Sequence, residues 1–130
     1  MPAFIYKRRI AFHETDAAGV VYFANYFRLA EEAETHALAS LGRIVTRDGY
    51  LYPRVHVEAD YTAPLHFFDE VAVHCYITRI GSSSVCWIFE IEGPSGLCAT
   101  VKAISSRRHH DGSPAPYSAE ERAAYAQLEA

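Results

Sequence analysis

The sequence has few cysteines, no long apolar run and no excess of basic residues. Its 3 cysteines form no CxxC pair, and their odd number predicts free thiols in a reducing compartment instead of a disulfide framework. No stretch approaches the roughly 18–20 apolar residues that cross a bilayer, and no charged start precedes a long apolar core. We therefore expect no signal peptide, no membrane insertion and a cytoplasmic location.

The charge balance argues against nucleic acid as a partner. The chain has 12 Lys and Arg against 16 Asp and Glu, a formal net charge of −4, whereas nucleic-acid binding needs a basic face. With 130 residues, 50% of them hydrophobic, it can bury a core without disulfides or a structural metal. We expect a single domain over residues 1–130.

Hydrophobic periodicity predicts one long helix among five strands. Residues 4–12 are rich in Ile, Tyr and Phe and predict a strand, and residues 22–41 show the spacing of an amphipathic helix. Four further strands are predicted at 55–61, 71–80, 85–91 and 97–106. The first of these alternates cleanly and should be half buried. Ser118 and Glu121 have capping-box spacing and predict a short C-terminal helix.

This order of elements is typical of an α+β fold. Strands joined by short turns must be antiparallel, and one helix packs on one face of the sheet. A single helix cannot cover both faces of five strands. The other face should therefore be polar or pair with another subunit, and we expect a dimer or a larger assembly.

The segment at residues 9–26 carries the chemistry. Asp16 lies in a loop of small residues that leads directly into the long helix. The start of a helix presents unpaired N–H groups and partial positive charge, which can polarise a carbonyl, and Gly19 permits a close approach of backbone or ligand. Acyl transfer needs both a carboxylate and such a pocket. The alternative is that Asp16 is only a helix cap or turn residue.

The same segment also carries a recognisable motif. Its core, D-x-x-G-V-V-Y-x-x-N-Y, consists of Asp16, Gly19, Val20, Val21, Tyr22, Asn25 and Tyr26. Further matches follow as V-x-A-D-Y-x-x-P at 57–64, D-E-V at 69–71 and I-G-x-S-S-V at 80–85. This pattern resembles the 4-hydroxybenzoyl-CoA thioesterase family of hotdog-fold acyl-CoA thioesterases, including its Tol-Pal-associated branch. Matches at fixed spacing favour a catalytic Asp16.

The resemblance implies a fold, an assembly and an activity. The fold is the hotdog, one long helix wrapped by a five-stranded antiparallel sheet. The assembly is a homodimer joined edge to edge, or a dimer of dimers (a homotetramer), with active sites between subunits. The activity is hydrolysis of an acyl-CoA, which can be aromatic, to the free acid and CoA. Coenzyme A is then part of the substrate, and neither a cofactor nor a metal is expected.

The resemblance also implies roles for individual residues. Asp16 would attack the thioester carbonyl or activate a water molecule. The backbone N–H of Phe23 would polarise the thioester oxygen, with Gly19 in the same pocket. Substrate-binding roles are expected for Tyr22, Glu31, Arg79, Ser82, Ser83 and Ser84. Glu31 would either shape the acyl pocket or pair with another charge.

Two departures from the family pattern bear on specificity. Phe23 stands where many members of the Tol-Pal-associated branch have His, which removes a His-assisted mechanism. Residues 81–83 are Gly-Ser-Ser, where the 4-hydroxybenzoyl-specific enzymes have a basic cluster. Hydroxyl and N–H groups there, or basic residues such as Arg79, would then bind the phosphates of CoA. The alternative functions are a thioesterase for acyl-carrier protein and a non-catalytic acyl-CoA-binding or scaffold protein.

Overall fold

Five strands and two helices make up the computed structural model, which describes residues 4–130. The strands are β1 (Phe4–Arg9), β2 (Arg54–Tyr61), β3 (Glu70–Ile80), β4 (Ser84–Gly93) and β5 (Gly96–Ser106). The helices are α1 (Asn25–Ser40) and α2 (Ala119–Ala126). All strand pairs are antiparallel, and the order across the sheet is β1-β3-β4-β5-β2. The predicted sheet, long helix and C-terminal helix are confirmed.

The core lies between α1 and one face of the sheet. Alanines at positions 30, 33 and 37 of α1 are buried, and their small side chains let the helix lie close to the strands. The strands contribute alternate buried residues, among them Val71, Val73, Cys75, Ile77, Trp87, Phe89 and Ile91. Trp87 and Phe89 stack with their ring centroids 5.7 Å apart. The three cysteines are free and buried, as predicted.

Two element boundaries differ from the prediction. β1 ends at Arg9 and not at residue 12, because the N–H of Glu14 bonds to the carbonyl of Ala11 and curls the chain into a 3₁₀ turn. α1 begins at Asn25 and not at residue 22, because a turn precedes it in which the N–H of Asn25 bonds to the carbonyl of Tyr22. Apolar periodicity continues through both turns and does not mark them.

β2 is exposed on both faces, so the prediction of a half-buried strand is wrong. Val57 and Tyr61 lie on the helix side of the sheet, yet they are 47% and 45% exposed. The physical reason is that β2 is an edge strand paired only with β5, while α1 packs on the four other strands. An edge with unpaired backbone groups and apolar side chains is a surface suited to pairing with another chain.

The sheet face away from α1 mixes polar and apolar side chains. His74 and Tyr76 of β3 are half buried there. They form hydrogen bonds with the carboxylates of Glu92 (2.9 Å) and Glu90 (3.4 Å) on β4. This agrees with the polar alternative for this face, while its pairing with another subunit stays a prediction.

A buried arginine fixes α2 to the end of the sheet. Arg107 is 2% exposed, donates to both carboxylate oxygens of Glu121 at 2.5 and 3.0 Å, and lies over the rings of Tyr50 and Tyr117. Glu121 also forms the predicted capping box with Ser118. The guanidinium lowers the pKa of Glu121 to about 2.

A second ion pair fixes the loop before Asp16. Arg8 in β1 donates to both oxygens of the buried Glu14 at 2.7 and 2.5 Å. Its Nε donates to Glu32 of α1 at 2.7 Å, and the N–H of Ala11 donates to Glu14 at 2.7 Å. Arg8 holds the pKa of Glu14 below its usual value. Strand, loop and helix are thus joined immediately upstream of Asp16.

The Arg107–Glu121 pair predicts a loss of stability in acid. Because the pKa of Glu121 is lower in the folded than in the unfolded chain, the ionised carboxylate stabilises the fold above pH 4.5, and this contribution is lost as the pH falls toward 2. We expect the free energy of unfolding of Glu121→Gln, measured with urea and Trp87 fluorescence, to decline less over this range than that of the wild type.

The matched control is Glu120→Gln, which changes an adjacent exposed carboxylate that no ion pair within residues 4–130 engages. Its stability should follow the wild-type pH profile. If Glu121→Gln and the wild type lost stability in parallel between pH 4.5 and 2, the linkage would be wrong.

Candidate active site

Asp16 begins a tight turn at the end of the sheet. Its N–H donates to the carbonyl of Val20, and its carbonyl accepts the N–H of Gly19, each at 2.9 Å. Thr15 and Val21 pair across the base of the turn. Gly19 has φ +80°, a left-handed conformation that glycine adopts without strain. The turn therefore explains this glycine structurally, and its part in a substrate pocket stays a prediction.

The carboxylate of Asp16 is exposed and only partly engaged. Its Oδ1 accepts the N–H of Ala18 at 2.8 Å, which orients the side chain. The carboxylate accepts no other hydrogen bond from residues 4–130. The N-cap of α1 is Ala24, and no side chain caps it, so Asp16 is not a helix cap. It is a turn residue whose Oδ2 stays available for chemistry.

The backbone N–H of Phe23 lies at the entry to α1, two residues before the helix begins. Within the described chain this N–H has no hydrogen-bond acceptor. The adjoining residues are anchored to one atom, the carbonyl oxygen of Glu14, which accepts from the N–H of Tyr22 at 3.0 Å and from Nδ2 of Asn25 at 2.9 Å. Asn25 therefore ties the helix to the Asp16 loop. The N–H of Phe23 is fixed in position by its neighbours and has no acceptor of its own within residues 4–130.

An open groove runs along α1 on the side of β2, and we call it the α1–β2 groove. Its near section contains Phe23, Tyr26, Tyr61 and Pro64. The hydroxyl of Tyr61 donates to the carbonyl of Phe23 at 3.0 Å. Burial raises the pKa of Tyr61, so this hydroxyl keeps its proton at neutral pH. Tyr61 of β2 thus fixes the Phe23 backbone in the near section.

A separate hollow of about 250 Å³ lies farther along the same side of α1, and we call it the middle section of the groove. Apolar side chains line most of it: Phe27, Ala30, Val57, Phe89, Val101 and Ala103. Two charged residues, Glu31 and Arg54, complete the lining. Glu31 therefore lies at the groove, which agrees with a part in shaping a pocket.

A far cavity of about 340 Å³ follows, and it too is lined by Glu31 and Arg54. Its other walls include Leu38, Tyr52, Val85, Trp87, Tyr117 and Tyr125. Arg54 binds both carboxylate oxygens of Glu34 on α1, one of them at 2.9 Å. An ion pair therefore stands where the middle section meets the far cavity.

The predicted binding residues fall into two separate groups. Tyr22 lies beside Phe23, with ring centroids 4.8 Å apart, and Glu31 lines the groove. The other group, Arg79, Ser82, Ser83 and Ser84, lies at the opposite end of the sheet. The 11 residues of β3 separate the two ends by roughly 33 Å. A single chain therefore does not bring the second group to Asp16, and a site that contains all these residues stays a prediction that needs a second subunit.

The β3–β4 hairpin has a structural use that the sequence did not reveal. The carbonyl of Ser82 accepts the N–H of Tyr117 at 2.9 Å, and the carbonyl of Ser83 accepts the N–H of Arg107 at 2.6 Å. The hairpin thereby holds the segment that leads into α2. Any contact of its hydroxyl groups with substrate would come in addition to this use.

Sequence reasoning missed three residues that shape the site. Glu14 lies just before the quoted Asp16 motif and Tyr61 lies within the motif at 57–64, but nothing local indicates that one anchors the turn and the other binds the Phe23 carbonyl. Arg54 pairs with Glu34 across 20 residues of sequence, and only tertiary structure shows that contact.

Within residues 4–130 no group of three or more His, Cys, Asp or Glu side chains has the arrangement to hold a metal ion. Neither described helix has the length and apolar character needed to cross a membrane.

Comparisons with known proteins agree with this geometry. The family model described as the Thioesterase superfamily matches residues 18–99. A 1,4-dihydroxy-2-naphthoyl-CoA hydrolase from Synechocystis sp. is 34% identical over 114 residues, which cover 85% of this chain and 80% of the relative. The crystal structure of a Synechocystis 1,4-dihydroxy-2-naphthoyl-CoA thioesterase superposes with a TM-score of 0.86 at 27% identity and covers 96% of each chain.

A gentisyl-coenzyme A thioesterase structure has a TM-score of 0.83 at 25% identity, covering 91% of this chain and 98% of its own. These matches support the superfamily and its fold, and not the narrower membership in the 4-hydroxybenzoyl-CoA or Tol-Pal-associated groups. The chain belongs to the thioesterase superfamily, as a thioester hydrolase with the hotdog fold.

Proposed function

We propose that this hydrolase acts on acyl-CoA esters, including those of aromatic acids, with Asp16 as the catalytic carboxylate and the N–H of Phe23 as donor to the thioester oxygen. The observation that carries the proposal is the shared anchor at Glu14. Its carbonyl holds the residues on either side of Phe23, and its carboxylate holds the segment that leads into Asp16. Relatives named for dihydroxynaphthoyl-CoA and gentisyl-CoA support the substrate class.

The chemistry follows from these two groups. In one route a carboxylate oxygen of Asp16 attacks the thioester carbon, the C–S bond breaks, and water then hydrolyses the mixed anhydride. In the other, Asp16 takes a proton from the attacking water. In both routes negative charge develops on the thioester oxygen. The N–H of Phe23 and the positive end of α1 stabilise that charge without reorganisation, and CoA leaves as a thiolate that takes up a proton.

The acyl group would occupy the middle section of the α1–β2 groove. This section is apolar apart from Glu31 and Arg54, and aromatic side chains such as Phe27 and Phe89 line it. Flat rings pack well against such walls. The CoA portion would extend away from the groove toward solvent. CoA acts as substrate here, and the proposed route needs neither a cofactor nor a metal.

The exposed edge of β2 supports a homodimer as the complete enzyme. If β2 pairs with β2 of a second copy about a two-fold axis, the Tyr61 end of one strand lies beside the Arg54 end of the other. The hairpin end of the second copy then lies at the same end of the joined sheet as Asp16 of the first. That arrangement would bring Arg79 and the serines at 82–84 toward the CoA of the other subunit. A further pairing into a tetramer would use other surfaces.

The assembly is tested by Val57→Lys, which places a charge at the centre of the unpaired edge, 47% exposed in the single chain. We expect the wild type to sediment as a dimer or tetramer and the variant as a monomer, and sedimentation is the readout because Val57 also lines the groove. Glu58→Lys is the matched control, because residue 58 lies on the opposite face of β2. A monomeric and fully active wild type would contradict the edge-to-edge dimer.

Asp16→Asn is expected to lower the turnover number for thiol release by ~10²–10⁴-fold. The fold should be retained, because the amide oxygen can still accept the N–H of Ala18. Both proteins are assayed on a panel of aromatic and aliphatic acyl-CoAs. Unchanged turnover in the variant would exclude Asp16. Absence of turnover by the wild type would point to an acyl-carrier-protein ester, or to binding without catalysis, and ester binding would then be measured.

The oxyanion role is tested by Phe23→Pro, which deletes an N–H that has no acceptor within the described chain and so breaks no internal hydrogen bond. Loss of this donor should reduce turnover by ~10²–10³-fold. Phe23→Ala removes the ring but keeps the N–H, so its effect should fall mainly on KM. Equal turnover numbers for the two variants, both folded by circular dichroism, would rule out the backbone donor.

A further inference from the structure

Arg54 and Glu34 form an ion pair at the boundary between two parts of the α1–β2 groove. Their side chains are 30% and 13% exposed, and the guanidinium binds both oxygens of the carboxylate. Arg54 and Glu31 line both the middle section and the far cavity, whereas Glu34 lines only the far cavity and not the middle section. The pair therefore lies at the boundary between the two spaces.

The two spaces lie in line along one flank of α1. Phe27, Glu31, Glu34 and Leu38 follow one another at helical spacing and share that flank. With a rise of about 1.5 Å per residue, Glu31 lies roughly 9 Å along the helix axis from Asn25, the first residue of α1, and Leu38 roughly 20 Å. An extended acyl group that starts at the N–H of Phe23 therefore points through the middle section toward the ion pair.

The volumes indicate which acyl groups fit on each side. The middle section holds about 250 Å³, less than the roughly 300–1,000 Å³ of pockets that enclose drug-sized ligands. It suits a short acyl chain or a small ring system. The far cavity holds about 340 Å³, and its walls, among them Leu38, Val85 and Trp87, are apolar enough for an alkyl tail.

An alkyl chain cannot open the passage by itself. Entry would separate Arg54 from Glu34, which would leave a carboxylate that is 13% exposed without its partner. An unpaired charge in such surroundings costs more free energy than the burial of a few methylene groups returns. The ion pair is therefore a closed end wall for an apolar group.

We propose that the Arg54–Glu34 pair determines acyl specificity by closing the groove behind the acyl group, so that the enzyme prefers compact acyl groups and excludes long chains from the far cavity. This inference depends on the proposed acyl-CoA hydrolysis. It assigns no step of the chemistry to either residue.

The test compares kcat/KM for benzoyl-, butanoyl-, octanoyl-, dodecanoyl- and hexadecanoyl-CoA. The wild type should prefer the compact esters. The double variant Glu34→Ala/Arg54→Ala removes both charges together, so no unpaired charge remains. It should raise the ratio of dodecanoyl to benzoyl kcat/KM by at least about 10-fold, the discrimination that a hydrophobic pocket achieves with one methylene group.

Two controls show where the tail lies and whether the effect is specific. Val45 lines the far cavity, so adding Val45→Trp to the double variant should fill that space and restore the wild-type profile. Arg9→Ala/Glu70→Ala removes an exposed ion pair between β1 and β3, outside the groove, and should leave the profile unchanged. Glu34→Gln weakens the pair without opening space. It should raise the ratio of dodecanoyl to benzoyl kcat/KM by less than the double variant does. This variant provides a test even if the double variant does not fold.

The outcomes separate the two proposals. If the wild type hydrolyses none of the acyl-CoAs, the proposed function fails. If it hydrolyses them but treats dodecanoyl and benzoyl esters equally, or if neither the double variant nor Glu34→Gln changes their ratio, acyl-CoA hydrolysis stands and the closed groove is wrong. A shifted ratio that Val45→Trp does not reverse also overturns the proposed path into the far cavity.

Discussion

The position of the Asp16 loop depends on Glu14, a buried residue whose carboxylate and carbonyl both accept hydrogen bonds. Its carboxylate holds Arg8 of β1 and the N–H of Ala11, and its carbonyl holds Tyr22 and Asn25 at the entry to α1. The turn between these anchors is short, so little freedom remains for the carboxylate it carries. An exposed loop thereby acquires the fixed geometry that the proposed catalysis would require.

A second constraint comes from the sizes of the helix and the sheet. α1 covers four strands and leaves β2 exposed at the edge. The uncovered space becomes a groove with an apolar floor, and the uncovered strand becomes a surface for pairing. The same difference in size would account for the proposed substrate groove and for the proposed pairing of subunits, and in that proposal the hairpin serines reach the thioester through a second subunit.

Local signals in the sequence were sufficient for most of the fold and for the loop that carries the candidate residue Asp16. Alternation located the strands, Ser118 and Glu121 located α2, and the spacing around Asp16 located the loop. The exposure of β2 was missed, because alternation marks two faces of a strand and does not say whether anything covers either face. The pairing of Arg54 with Glu34 and the distance of Ser83 from Asp16 were equally invisible, since both depend on how distant segments meet.

In the proposed reaction, one helix provides both the donor to the thioester oxygen and a wall of the acyl site. The entry to α1 supplies the N–H for the thioester oxygen, and its flank supplies the walls for the acyl group. Because the rise per residue within α1 is constant, the distance along the helix from its first residue, Asn25, to Glu34 is fixed, and in the proposal this distance limits the length of a bound acyl group. In the proposal, a substitution at position 34 or 54 that removes the ion pair lengthens the space open to the acyl group. It does not move the N–H of Phe23, since Glu14 anchors the helix entry independently. Chain-length preference and turnover should therefore vary separately in this fold.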